Sequence, residues 1–433
     1  LDLDRADFFA KELELRLARS YGPGRYDPSY EEWGVDYPAG YVRWTEGRNL
    51  EAYIDLIASG RLHVDDLLTH RFEITDAPGA YDLAGDPAVD SVGVVLRYSD
   101  SLQTIPKSTT DRATGQPPQK APPGDLSVGL LGAGLFARSM VLPSLRSAGF
   151  GQVRHIASRS GLSAARLAEQ NGNAKSSADP HDLIEDPAIS VVAIAAPHSA
   201  HADLTALALA AGKHVYVEKP LALTESELDQ VLIAQEVSAG HLYVGFNRRY
   251  SPMVTEARKA LGQRTSPIVV DYRVCAGPIG PGHWYADRRE GGRLLGEVCH
   301  FVDTANAIVG SRPVSVVCRG FQTEQDDSVS ILISYQNGST ATVNYIAETF
   351  PATAKERCEI LGRGHTITID NYRELTVDGS RVKTDSGKGH VEGLTAFRRG
   401  IQAGDWNSDS AIETTRLMFA AARSLRTGIA VDL

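Results

Sequence analysis

Cysteine is scarce and scattered in this chain. The four present, Cys275, Cys299, Cys318 and Cys358, form no CxxC pair. That excludes a disulfide framework and a structural zinc site built on paired thiolates, so no metal is expected. The thiols are expected to be reduced and buried in a cytoplasmic protein. Long apolar runs are missing too, and none reaches the roughly 18 residues that a membrane span needs. Basic residues are outnumbered, 44 against 54 acidic ones, for a formal net charge of −10. Such a surface repels phosphate backbones and anionic lipid, so neither nucleic acid nor membrane is an expected partner.

What is present reads as globular. The 433 residues are 42% hydrophobic and 23% charged, and at about 150 residues per domain they predict two or three domains. The chain opens on Leu1 rather than Met, and it is expected to be a piece of something longer. Between Ser101 and Gly124 stand Pro106, Pro117, Pro118, Pro122 and Pro123 among polar residues. Too apolar-poor to offset its ordering entropy, this stretch is expected to be an extended tether. It separates an N-terminal piece, residues 1–100, from a body that begins at residue 125.

The body alternates short apolar runs with helical patterns. Strands are predicted at Leu126–Leu131, Val153–Ala157, Val191–Ala195, His214–Val217 and His241–Phe246. Helices are predicted up to Ser147 and over Leu162–Asn171, Ala202–Ala211 and Glu225–Ser238. Continuous apolar strands between helices predict an α/β fold with a doubly wound parallel sheet. After about Ile268 the pattern turns β-rich, with strands at Ile268–Val274, Val314–Cys318, Ser328–Tyr335, Ala341–Ile346, Cys358–Leu361, Thr366–Ile369 and Glu374–Val377. Asn337-Gly338 and Asp378-Gly379 mark hairpin turns there. Ile412–Leu425 reads as a closing helix.

The first strand runs into Gly132-Ala133-Gly134-Leu135-Phe136-Ala137, a GxGxxA between strand and helix. Gly132 permits a tight turn, Gly134 lets backbone approach a pyrophosphate, and Ala137 lets helix and strand pack closely. The free N–H groups of the helix N-terminus then face the phosphates. A dinucleotide is therefore expected at this loop. At the end of the next strand an NAD site expects a carboxylate for the ribose. Ser158, Arg159 and Ser160 stand there instead, and Arg159 suits a 2′-phosphate, so NADP is preferred and NAD is the alternative.

Further motifs carry a family resemblance. Ala196-Pro197-His198-Ser199-Ala200-His201, Glu218-Lys219-Pro220, Asn247-Arg248-Arg249-Tyr250 and Gly291-Gly292-Arg293 through Glu297-Val298-Cys299-His300-Phe301-Val302-Asp303 resemble the Gfo/Idh/MocA oxidoreductases. The similarity spans Leu126 to Leu433. It implies a Rossmann domain over 125–246 and, over 247–433, a substrate-binding α/β domain whose open, mostly antiparallel sheet makes homo-oligomer contacts. It implies hydride transfer at the CH–OH carbon of a sugar, cyclitol or sugar nucleotide. It also implies a catalytic Lys219, usually followed by a cis bond to Pro220, and a catalytic His300. A lysine ammonium stabilises a developing oxyanion, and an imidazole moves a proton near neutrality. Family members with a full triad carry Asp where this chain has Gly296, and Glu297 is the substitute one step on.

Ala196, Pro197, His198, His201 and Glu218 are expected on the cofactor side. Asn247, Arg249, Trp284, Tyr285 and Asp287 are candidates for the substrate. Residues 1–100 resemble the C-terminal tail of a zinc-type medium-chain alcohol dehydrogenase, as in Gly40-Tyr41-Val42-Arg43-Trp44-Thr45-Glu46, and lack its glycine loop and thiolate ligands. Two other readings stay open: a redox-assisted lyase or glycosidase with tightly bound dinucleotide, and a non-catalytic dinucleotide-binding module.

Overall fold

The computed structural model describes residues 22–24, 27, 30, 36–38, 40–86, 89–98, 126–172, 174–262, 266–277, 279, 287–321, 328–350 and 353–433. The Pro-rich stretch 101–124 lies outside them. The chain divides into two compact units, Leu1–Gly115 and Gln116–Leu433.

The first unit holds a helix at Glu46–Ala58, another at Ala77–Gly85, and a parallel pair of short strands, β1 (His70–Glu73) and β2 (Val94–Arg97). Little of it is interior. Among its described residues only Gly24, Thr45 and Ala80 are buried.

In the second unit six strands form one parallel sheet: β3 (Val128–Leu131), β4 (Val153–Ala157), β5 (Lys175–Ser177), β6 (Val191–Ile194), β7 (His214–Val217) and β8 (Leu242–Val244). Their order is β5-β4-β3-β6-β7-β8, all parallel, which is the Rossmann order with its reversal between β3 and β6. β3 and β6 are buried along their whole length, as uninterrupted apolar strands covered on both faces must be. β5 and the helix Pro180–Ile184 were not visible in the apolar pattern, because the strand is Lys-Ser-Ser and sits at the sheet edge. The helix Glu225–Val237 begins where Thr224 accepts from the Glu227 N–H at 3.2 Å, while Glu227 accepts from the Leu223 N–H at 2.7 Å. That reciprocal pairing satisfies two donors at its start.

The nine-stranded sheet contains β9 (Val269–Cys275), β10 (Pro313–Gly320), β11 (Val329–Tyr335), β12 (Thr340–Ile346), β13 (Glu356–Gly362), β14 (His365–Asp370), β15 (Glu374–Val377), β16 (Ser380–Val382) and β17 (Val431–Asp432). Its order is β16-β15-β14-β13-β9-β12-β11-β10-β17, antiparallel except where β9 runs alongside β12. Gly338, at φ +80°, turns the β11–β12 hairpin, as Asn337-Gly338 predicted. Two helices, Pro252–Ala260 and His390–Ala403, went unread in the sequence. A third helix, Cys299–Val309, has ten of its eleven residues buried.

One buried cluster joins the two sheets. Arg248, just after β8, donates from Nε and Nη2 to Glu356 on β13 at 2.8 and 2.9 Å. Lys388 and the Tyr272 hydroxyl donate to the same carboxylate at 2.6 and 3.0 Å. Glu356 is 1% exposed, and Arg248 beside it, with Lys388, holds its carboxyl down at about 2 despite the opposing effect of burial. This contribution to stability is complete above the ordinary value of 4.5 and lost as pH falls toward 2. Glu356→Gln would leave the Arg248 charge buried without its counter-ion. A loss of about 3–5 kcal/mol in urea-induced unfolding at pH 7 is expected, and an unchanged midpoint with an unchanged slope would refute it.

Candidate active site

The carboxyl ends of β3 and β6 define the crevice. Gly132 has φ +109°, and a Cβ there would collide with the Ala195 carbonyl at the end of β6. Its N–H donates to Ala157 O at 2.8 Å, while Ala195 N–H donates to Leu131 O at 2.8 Å. The turn is thus pinned between two neighbouring strands. At Gly134 a Cβ would meet nothing within 4 Å, so the backbone there lies bare to open space. Leu135 and Phe136 are exposed, and Ala137 is fully buried against the sheet. A cradle open at Gly134 and rimmed by helix N–H groups fits a dinucleotide pyrophosphate.

At the tip of β4 the Ser158 N–H is spent on Ser177 O at 3.2 Å, and the Ser160 hydroxyl caps the next helix by accepting from Ser163 N–H. Arg159 is exposed. Of the three, Ser158 and Arg159 carry the side chains left for a ribose substituent.

Lys219 follows β7 and is joined to Pro220 by a cis peptide bond. Its ammonium donates to Gly296 O at 2.5 Å. Gly296 belongs to a wide turn of π-helix, Leu294–Val298, that runs straight into Cys299–Val309. Such π turns are often found at functional sites. So the position that has no carboxylate still serves Lys219, through its backbone, and ties it to the helix that carries His300.

His300 is buried, with its ring edge-on to Phe246 at 6.2 Å. Nδ1 is sealed without a hydrogen-bond partner, which leaves Nε2 to meet a hydroxyl. Burial, then the charges of Arg248, Lys219, His390 and Lys388, push its pKa well below the ordinary 6.5. It is a neutral imidazole at physiological pH.

Several expected site residues prove to be braces. Glu297 turns to the nine-stranded sheet, accepting from Tyr345 Oη at 2.5 Å and Lys355 Nζ at 2.8 Å, and so does not stand in for the missing Asp. Arg249 grips the buried Asp303 with two donors and reaches Ser410 Oγ at 2.6 Å, which spends its guanidinium inside the fold. Asn247 is buried and donates to Lys388 O at 2.7 Å. Asp287 is taken up by its neighbour Arg289. Glu218 points inward and accepts from the Tyr216 hydroxyl, and burial raises its carboxyl. Trp284 and Tyr285 lie outside the described residues.

On the cofactor side, Ala196 is half-buried and Pro197 exposed. His201 lies between Pro220 O at 2.7 Å and Ala196 O at 2.9 Å, bolting the loop after β6 to the Lys219-Pro220 loop. His198, pushed down to about 3 by burial and Lys219, makes a 2.9 Å contact from Nδ1 to Glu290 O. The Glu290 carboxylate also accepts from the Ser199 N–H and hydroxyl at 3.0 and 2.8 Å. Sequence reasoning missed Glu290 and the Lys388-Gly389-His390 loop. The glycines flanking Lys388 were the signal for the latter.

Residues 126–246 match the GFO/IDH/MocA oxidoreductase family with its NAD-binding Rossmann fold, and residues 261–368 match the GFO/IDH/MocA C-terminal domain. The myo-inositol 2-dehydrogenase of Thermotoga maritima is 24% identical over 290 residues, which are 62% of this chain and 86% of that protein. The levoglucosan dehydrogenase of Pseudarthrobacter phenanthrenivorans is 31% identical over 202 residues, 43% of this chain and 52% of that one. A levoglucosan dehydrogenase structure, in complex with NADH and levoglucosan, superposes with a TM-score of 0.63 at 24% identity, covering 71% of this chain and 99% of that one. No described helix is long and apolar enough to cross a membrane.

The two glycines of the turn are expected to fail differently. Gly134→Ala has room, so thermal stability is expected to hold while the dissociation constant for the dinucleotide rises about tenfold or more, a backbone-approach penalty on the order of 1.4 kcal/mol. Gly132→Ala is expected to lower the melting temperature even without ligand, because it strains φ and meets a carbonyl. Equal behaviour of the two variants in calorimetry and thermal melts would contradict this division.

Proposed function

The chain belongs to the GFO/IDH/MocA oxidoreductase family, and on that premise we propose that it transfers a hydride to or from the secondary alcohol or ketone carbon of a sugar, cyclitol or sugar nucleotide. The observation that carries this reading is the meeting of Lys219 with the His300 helix beside the dinucleotide cradle. A bound dinucleotide supplies the hydride chemistry. Gly134, Leu135 and Phe136 hold its phosphates through backbone N–H groups. The Lys219 ammonium steadies negative charge on the substrate oxygen, and neutral His300 takes the hydroxyl proton at Nε2. Residues 1–100 are read as the tail of a zinc-type alcohol dehydrogenase on sequence resemblance alone. A cytoplasmic homo-oligomer belongs to the same reading. Exposed Val269, Leu332 and Leu361 on one face of the nine-stranded sheet support the self-contact.

Single-turnover hydride transfer tests the chemistry. Lys219→Met and His300→Gln are each expected to slow it by a factor on the order of 10², with dinucleotide binding little changed. The acid limb of kcat/KM is expected below pH 6.5, since the base works only when neutral and its pKa is depressed from that value. Unchanged rates in both variants would leave the non-catalytic module. Product release without net cofactor turnover would point to the redox-assisted lyase.

NADP is proposed as the preferred cofactor, supported by exposed Arg159 and the lack of a carboxylate at the tip of β4. NADPH is expected to bind more tightly than NADH, and Arg159→Ala to erase most of the difference. Equal dissociation constants in the unmutated protein would end the preference.

A further inference from the structure

One wall of the site is built by Ser386-Gly387-Lys388-Gly389-His390, and that loop is held in a single register. Gly389 has φ +84°, and a Cβ there would collide with the Asn247 carbonyl and lie 2.5 Å from Ser251 N. Ser251 Oγ donates to Gly387 O at 2.8 Å, and Asn247 Nδ2 donates to Lys388 O at 2.7 Å with His390 Nδ1 at 3.5 Å. Lys388 and His390 are thereby fixed beside Phe246-Asn247-Arg248. The same segment backs His300: the Phe246 ring stands edge-on to it, and Arg248 lies over Phe301 at 5.0 Å.

The charges around this wall do not balance. Arg248 and Lys388 share one carboxylate, Glu356. Lys219 is a further cation nearby, and the Glu218 carboxylate acts on it. Asp303 is committed to Arg249 and Glu297 to Lys355, while Glu218 is turned to Tyr216. An ammonium has three N–H donors, and the hydrogen bond that Lys388 makes among the described residues uses one, to Glu356. Its side chain is 35% exposed. Partly desolvated positive charge in surplus is costly unless a ligand supplies the counter-charge.

We infer that the substrate carries an anionic group, a carboxylate or phosphate, held by Lys388 with His390 beside it, next to the carbinol presented to Lys219 and His300. The inference rests on the hydride-transfer reading for where the carbinol sits. It makes Lys388 a specificity residue.

The test compares D-glucuronate, D-galacturonate and D-glucose 6-phosphate with D-glucose, D-galactose and myo-inositol, in turnover and in calorimetric binding to the dinucleotide-loaded full chain. At least one anionic probe is expected to exceed its neutral parent about tenfold in affinity or kcat/KM, equivalent to about 1.4 kcal/mol. Which anion gains tells carboxylate from phosphate. Lys388→Met is expected to abolish the gain and Lys388→Arg to keep much of it. Should Lys388→Met not fold, a gain in the unmutated protein that fades with rising salt carries the same information. Absence of any anionic gain, or a gain that survives Lys388→Met or high salt, overturns the inference. Turnover of neutral sugars with no anionic gain leaves hydride transfer standing and sinks the anion site. Anion binding lost in Lys388→Met with no hydride transfer does the reverse.

Discussion

A single buried carboxylate holds this architecture to its chemistry. Glu356 sits on a strand of the nine-stranded sheet and accepts from Arg248, which leaves the parallel sheet, and from Lys388, which leads into a distant helix. Parts of the chain 108 and 32 residues away are fixed by one charge. Such a charge is tolerated in the interior because four donors saturate its oxygens, and removing any strong partner would expose the cost of burying the rest. The position of His300 depends on it, since Phe246 and Arg248 form the surface against which that helix end packs.

The second constraint is backbone rather than charge. The π turn at Leu294–Val298 ends two residues before His300, and within it the Gly296 carbonyl accepts from Lys219. The contact spans the two lobes of the second unit at the point where proton transfer is proposed. A similar irregularity, Ala137–Val141, follows the cofactor turn, and there Pro143 lacks the N–H that a regular helix would have donated to Ser139. One π turn follows the cofactor turn and the other leads into the His300 helix.

The polar residues of the family motifs divide into two kinds that sequence cannot separate. Lys219 reaches the turn that leads into the His300 helix. Arg249, Asn247, Glu218 and His201 belong to the same motifs and yet turn inward, each paired with a partner inside the fold. A motif records that a residue type is required at a position. It does not record whether the requirement comes from a ligand or from a buried neighbour 19 or 54 positions away.

Read without coordinates, the chain determined its Rossmann half closely. Gly132 to Ala137 fixed the turn, and unbroken apolar runs marked β6 and β7 to within a residue and β3 to within two, because strands buried on both faces admit nothing else. It determined the hairpins at Asn337-Gly338 and Asp378-Gly379 for the similar reason that left-handed turns accept few residue types. Tertiary structure alone decided the rest. Gly296 acts through a carbonyl that every residue possesses, and Glu297 answers to Lys355, which stands just ahead of β13 and 58 positions away. Local pattern reports what each segment must be, whereas the sharing of charge among Arg248, Glu356 and Lys388 exists only once the chain has brought them together.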